Sequence, residues 1–251
     1  MFSEMHSDSQ RADRILASIR REESRPGRGL LKIFFGMAPG VGKTYAMLEA
    51  AIQAADKGVQ VMIGVAESHG REDTMRLISR LPRLPMKKVA YRGVQMEEFD
   101  LEEVLRVKPQ LILVDELAHT NVPGMRHRKR YQDVEDLLAA GIDVYTTLNV
   151  QHLESRSDTV HDITAAPVQE TVPDSVLAEA DCIQLVDITP EQLRTRLQEG
   201  KVYSAPQASA ALDHFFKESN LTALRELALR IMAEKVDHEL TEVRTISGDR
   251  S

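Results

Sequence analysis

The sequence predicts an α/β fold, a mostly parallel sheet flanked by helices with a helical C-terminal extension, and two observations carry that expectation. From Leu30 to about Ile188, short β-rich apolar runs alternate with longer segments of helical period, the pattern of βαβ units. Gly58 and Gly141 each close a helical run and directly precede a strand, where a left-handed helix cap is wanted. Strands are expected over 32–35, 59–65, 88–91, 111–114, 143–147 and 183–187. Helices are expected between them over 43–55, 72–80, 100–106, 131–140 and 151–163, and each crossover is long enough to be helical and right-handed.

Beyond Ile188 the pattern turns helical, over 190–197, 208–217 and 221–240. In the last of these Leu221, Leu224, Leu227, Ala228, Ile231 and Val236 lie broadly along one face, a stripe to be buried against the domain or against a partner helix. The expected organisation is a polar leader over 1–29, broken at Pro26-Gly27, a main domain over 30–188, a helical extension packed on it over 189–240, and a flexible tail over 241–251.

The chain's 251 residues suffice for one sizeable α/β domain with an appendage. A single cysteine, Cys182, excludes an internal disulfide, and no Cys/His spacing matches a structural zinc site, so a reducing, cytosolic setting is expected. No apolar run approaches the ~18 to 20 residues of a membrane-spanning helix, and the polar N-terminus MFSEMHSDSQ lacks a secretory h-region. A net charge of −7 would repel a phosphate backbone, so no nucleic-acid partner is expected. The one strongly basic run, Arg126-His127-Arg128-Lys129-Arg130, reads as a solvated face, or as a surface for triphosphate, nucleic acid or an acidic partner.

The segment Ile33-Phe34-Phe35-Gly36-Met37-Ala38-Pro39-Gly40-Val41-Gly42-Lys43-Thr44 passes from a strand through a glycine-rich turn into a helix. That is the context of a P-loop, so the fold is expected to be P-loop NTPase-like and 30–188 to bind nucleotide. In such a turn Gly40 and Gly42 let backbone N–H groups point inward around phosphate oxygens at the positive end of the next helix, and Gly36, Pro39 and Val41 are expected to belong to the same nucleotide-binding loop. Lys43 would reach the β and γ phosphates of ATP, and the Thr44 hydroxyl would ligate Mg²⁺. The strict pattern wants glycine at position 37, where this chain has Met37.

The run Leu111-Ile112-Leu113-Val114-Asp115-Glu116 looks like a Walker B strand: Asp115 would hold Mg²⁺, and Glu116 is the candidate to orient or deprotonate an attacking water. His119 and Asn121 follow in a stretch that either senses the γ phosphate or is surface loop. An extra residue separates Glu116 from Ala118-His119, so this is not a DEAH box and a helicase is rejected. Thr147 and Asn149, at another carboxyl strand end, would contact a phosphate, position water or cap the next helix. Glu67, His69, Gly70 and Arg71 end the second strand on the same edge, with a substrate or switch role open to them.

Taken together, LKIFFGMAPGVGKTYAML, GVAESHGR, YRGVQMEEFDL, LILVDELAHTN, RHRKRYQDVEDLLAAGIDVYTTLNVQHLES, ETVPDS, EGKVYSAPQA and FFKESNLTALRELALR closely resemble the N-terminal cytoplasmic domain of the KdpD osmosensitive, potassium-responsive sensor histidine kinases, from about Leu30 to about Leu240. The family's loop also lacks glycine at the position of Met37. The resemblance implies an ATP-binding regulatory input domain of a two-component sensor in the bacterial inner membrane, tuning the balance of kinase and phosphatase activity toward a response regulator that controls potassium uptake. Its implied partners are nucleotide, the downstream kinase domains and, as a further candidate, the response regulator; a homodimer is left open. No dimerisation His-box, kinase-type ATP lid or membrane segment is visible, which implies a part of a longer parent or a naturally short form. The competing reading from the residues alone is a self-contained P-loop ATPase or small-molecule kinase.

Overall fold

A computed structural model describes residues 27–199, 212 and 214–248. The expected leader lies outside them up to residue 26, as does half of the expected helix over 208–217. In chain order the elements are β1 (Leu31–Gly36), α1 (Lys43–Asp56), β2 (Val61–Val65), α2 (Glu72–Ile78), β3 (Lys87–Tyr91), β4 (Val94–Glu98), α3 (Leu101–Val107), β5 (Leu111–Val114), α4 (Arg130–Ala139), β6 (Asp143–Asn149), α5 (Ser157–Thr164), α6 (Asp174–Ala178), β7 (Cys182–Leu185), α7 (Pro190–Gln198) and α8 (Glu218–Gly248).

Five strands form one parallel sheet in the order β2-β5-β6-β1-β7. β1 is an interior strand between β6 and β7, and its side chains alternate between two apolar layers: Ile33 and Phe35 face one, Phe34 the other, all fully buried. The Phe34 layer packs Met47, Leu48, Ala51 and Ile52 of α1. The opposite layer is larger and takes Val104 of α3, Val134 and Leu137 of α4, Val160 of α5, Leu193 and Leu197 of α7, and Leu221 and Leu224 of α8. Gly58 (φ 89°) and Gly141 (φ 80°) adopt the left-handed conformation their places demanded.

The strand expected over 88–91 is the main correction. β3 lies outside the sheet and pairs antiparallel with β4, joined by Arg92 and Gly93, both at positive φ (49° and 79°). Such two-residue turns match the twist of a hairpin, but arginine is an uncommon first residue there. The expected helix over 151–163 is instead two short 3₁₀ turns, Val150–His152 and Glu154–Arg156, followed by α5. α6 was not anticipated at all.

α8 is longer than the stripe that announced it and crosses residue 240 without a break, so 241–248 are helical rather than tail. Leu221, Leu224, Ala228 and Ile231 are buried, whereas Val236 is 49% exposed and leaves the stripe. Polar ties reinforce the packed half: Arg225 forks onto Asp187, and Lys235 donates to the Ala178 carbonyl. Since Leu224 is wholly buried in the larger layer, Leu224→Ala should lower unfolding free energy by ~2 to 5 kcal/mol. Urea denaturation followed by circular dichroism measures it; a change within ~0.5 kcal/mol would mean α8 is not part of the cooperative core.

Candidate functional site

A cleft of about 360 Å³ opens over the carboxyl ends of β1, β5 and β6, three adjacent strands. Pro39, Gly40, Gly42, Lys43 and Thr44 line one wall, Asp115, Glu116 and His119 another, and Thr147 and Asn149 the floor between them. Parallel pairing explains the convergence: Phe34 lies opposite Thr147, Gly36 opposite Asn149, and Val114 opposite Thr146. Loops leaving all three strands therefore emerge at one level.

The glycine turn is shaped by its backbone. Gly40 and Gly42 stand at φ 89° and 106°, a region costly for any other residue. Gly36 and Val41 are not on the cleft wall; they pack on each other beneath the turn, where a Cβ on Gly36 would lie 2.8 Å from Val41 Cγ2. Met37, at the position of the missing glycine, is buried in the larger apolar layer. The turn is thus closed by packing from within. α1 then begins with no side-chain cap and no acidic residue in its first turn, so its positive end is left for another anion.

Lys43 is 8% exposed and donates to the Ala38 carbonyl at 3.0 Å. Burial pushes its ammonium down to about 8, against the opposing pull of Asp115. Asp115, 1% exposed, accepts from the Thr44 hydroxyl (2.9 Å), the Glu67 N–H (3.3 Å), the Glu116 N–H (3.1 Å) and the Thr147 hydroxyl. Hydroxyl and carboxylate oxygens so placed are the hard donors a magnesium ion takes together with water and phosphate. Glu116, at φ 58°, has its carboxyl raised by burial and then by the Asp115 charge, and stands 4.0 Å from His69.

The stretch after Asp115 is no surface loop: Leu117, Ala118, Asn121 and Val122 are buried. His119 Nε2 lies 3.2 Å from both oxygens of the buried Glu98, which also accepts the Val122 N–H and pairs with Arg130. Burial alone would raise the Glu98 carboxyl, but these partners outweigh it and hold it below the usual range. Asn121 points away from the cleft, to Asp133 and the His127 carbonyl.

The basic run is a solvated face in part: Arg126 and Arg128 are exposed, as expected, whereas Arg130 is buried. Arg126 pairs with Glu102 and Asp136, His127 with Asp136, Lys129 with the Thr120 hydroxyl, and Arg130, 3% exposed, with Glu98 and the Asp115 carbonyl. Of its cations, Arg130 alone is therefore spent inside the protein. Among the cleft residues that had no role from the sequence are His152 and Glu170. His152 Nδ1 sits 2.7 Å from the Glu170 carbonyl, so Nδ1 carries the proton and Nε2 accepts from Asn149 Nδ2 at 3.3 Å. Burial lowers this imidazole, consistent with the neutral tautomer. Nothing in their local pattern marks either residue.

Comparison with known proteins matches residues 27–236 to the family described as "KdpD: Osmosensitive K+ channel His kinase sensor domain". The chain is similar to the sensor protein KdpD of Escherichia coli, 52% identical over 237 residues that cover 94% of this chain and 26% of that protein. It is also similar to that of Clostridium acetobutylicum, 50% identical over 234 residues covering 93% and 26%. That of Mycobacterium tuberculosis is 50% identical over 208 residues covering 83% and 24%. The chain thus spans about a quarter of the length of these relatives. With a glycine turn, a buried aspartate and a family match running from β1 through most of α8, the chain belongs to the KdpD sensor-domain family.

Proposed function

We propose that the cleft binds ATP with magnesium, and that the chain is the nucleotide-responsive input domain of a two-component sensor kinase controlling potassium uptake. The observation that carries the reading is the meeting of Lys43, Thr44 and Asp115 at the uncapped head of α1. A triphosphate there would take the N–H groups of the turn and draw Lys43 from the Ala38 carbonyl; Thr44 and Asp115 would hold the metal, which supplies charge neutralisation between phosphate oxygens. The residues fit the group, because one carboxylate and one hydroxyl leave the rest of an octahedral shell to phosphate and water.

In this reading the bound nucleotide orders the segment after Asp115, and the parent's kinase domains, with the response regulator beyond them, receive the signal. The parent would sit in the bacterial inner membrane with this domain in the cytoplasm; among the described residues no helix is long and apolar enough to cross a membrane. A second reading, a self-contained P-loop ATPase or small-molecule kinase, is favoured by one observation: Glu116 is a carboxyl with raised proton affinity beside the metal-binding position.

Calorimetric titration with Mg-ATP, with phosphate release followed in the same samples, tests both. Binding without sustained turnover supports the input domain; multiple turnover moves the assignment to an enzyme; no binding sinks both. Lys43→Ala should weaken Mg-ATP roughly 10- to 100-fold, the loss of a charged phosphate donor. Glu116→Gln should leave affinity within about twofold and slow any hydrolysis.

The pH dependence follows from Lys43. Its ammonium titrates at about 8 in the free cleft, and phosphate charge raises it in the complex, so protonated lysine is the binding form. Affinity is then complete below pH 8 and falls as pH rises above 8, by up to about tenfold per pH unit. At pH 8 binding should take up about half a proton, measured as a buffer-dependent heat, and Lys43→Ala should abolish it.

A further inference from the structure

We infer that Arg196, on α7 of the helical extension, is a positioning residue for the cleft, holding the glycine turn in the shape that receives phosphate. The inference rests on the reading of that turn as a phosphate site and adds the residue that sets its geometry from behind. Arg196 NH1 donates to the Val41 carbonyl at 3.1 Å and to the Gly40 carbonyl at 3.4 Å. Arg196 is not on the cleft wall, whereas Gly40, Gly42 and Lys43 are, so the guanidinium grips the turn from its far side.

Peptide geometry turns this grip into a function. Among the described residues no peptide bond is cis, and in a trans peptide the C=O and N–H point in opposite directions. The Gly40 carbonyl shares its peptide plane with the Val41 N–H, and the Val41 carbonyl shares its plane with the Gly42 N–H. Drawing both oxygens toward Arg196 therefore directs the Val41 and Gly42 N–H groups the other way, and Gly42 is on the cleft wall. A cationic donor on each carbonyl also polarises the peptide and strengthens its N–H as a donor. The constraint matters because Gly40 and Gly42, at positive φ, sit in a segment with wide conformational freedom, and ordering it at the moment of binding would reduce affinity.

Arg196 is itself held firmly. α7 starts at a capping box between Thr189 and Gln192, with Pro190 in its first turn, and is seated by the buried Leu193 and Leu197. Two residues before Arg196, Arg194 donates to the Phe216 carbonyl at 2.6 Å, just ahead of α8. One short helix thus grips the glycine turn with one arginine and the approach to α8 with another.

The test compares wild type, Arg196→Ala, Arg196→Lys and Lys43→Ala by calorimetry with Mg-ATP, alongside urea denaturation without nucleotide. Arg196→Ala should bind roughly 3- to 10-fold more weakly, a loss of charged hydrogen bonds that do not touch the ligand. Arg196→Lys, which restores a cationic donor, should fall between it and wild type. Hydrogen exchange adds a readout that a purely structural role would not move: Mg-ATP should slow exchange across 190–198 in wild type and leave it unchanged in Arg196→Ala. Equal affinity of wild type and Arg196→Ala, with Lys43→Ala impaired, overturns the inference and leaves the ATP reading standing. Absence of binding by wild type overturns the ATP reading and the inference with it. Should Arg196→Ala fail to fold, Arg196→Lys decides: wild-type affinity together with undiminished exchange protection overturns the inference.

Discussion

A carboxylate that is 1% exposed has to be surrounded by donors, and Asp115 collects its donors from the ends of three other segments. Thr44 comes from the head of α1, Glu67 from the end of β2 and Thr147 from β6, while Glu116 closes its own backbone back onto the group. Arg130 adds a bond to the Asp115 carbonyl, and its other contact reaches Glu98 and through it His119. The glycine turn, the sheet edge and the buried stretch after β5 are thus tied to a single side chain. The arrangement is more than a brace, because its hydroxyl and carboxylate oxygens are the ones a hard cation would take in exchange.

Much of this was legible locally. The parallel strands were visible because strands buried on both faces must be continuously apolar, as Leu111 to Val114 is. The turn was visible because Pro39, Gly40, Gly42, Lys43 and Thr44 act through backbone and side chains within one stretch of chain. The hairpin of β3 and β4 was not, since largely exposed strands of five residues carry little pattern, and the turn between them uses arginine where asparagine or glycine would have signalled it. In the basic run 126–130 the solvated face was legible but the burial of Arg130 was not: charge in sequence does not reveal whether a buried carboxylate lies opposite, and Glu98 does. Arg196 was invisible in principle, because it meets Val41 across 155 residues and carries no motif of its own.

Family membership and geometry bear on different questions, the first on what the chain is related to and the second on where a ligand could sit. The match places the chain among sensor domains, while the cleft carries side chains that an enzyme would also use, above all Glu116 beside Asp115. A regulatory domain and a hydrolase built on one turn would share their phosphate contacts and differ in how long they keep the γ phosphate. His119, bonded to the buried Glu98 rather than free in a loop, suits a segment with a small number of discrete arrangements.

The strand order has a consequence for how the molecule comes into being. β1 is the first of the described strands to be made, yet both its neighbours are among the last: Leu30 bonds to Asp143 across 113 residues and Leu31 to Asp181 across 150. Contacts of such separation close late, since the chain entropy of the intervening loop must be overcome first. During synthesis the glycine turn therefore leaves the ribosome long before it has a floor or a neighbouring strand. A cleft that recognises its ligand is in this way a certificate of completed folding, withheld until nearly the whole sheet has assembled around its oldest strand.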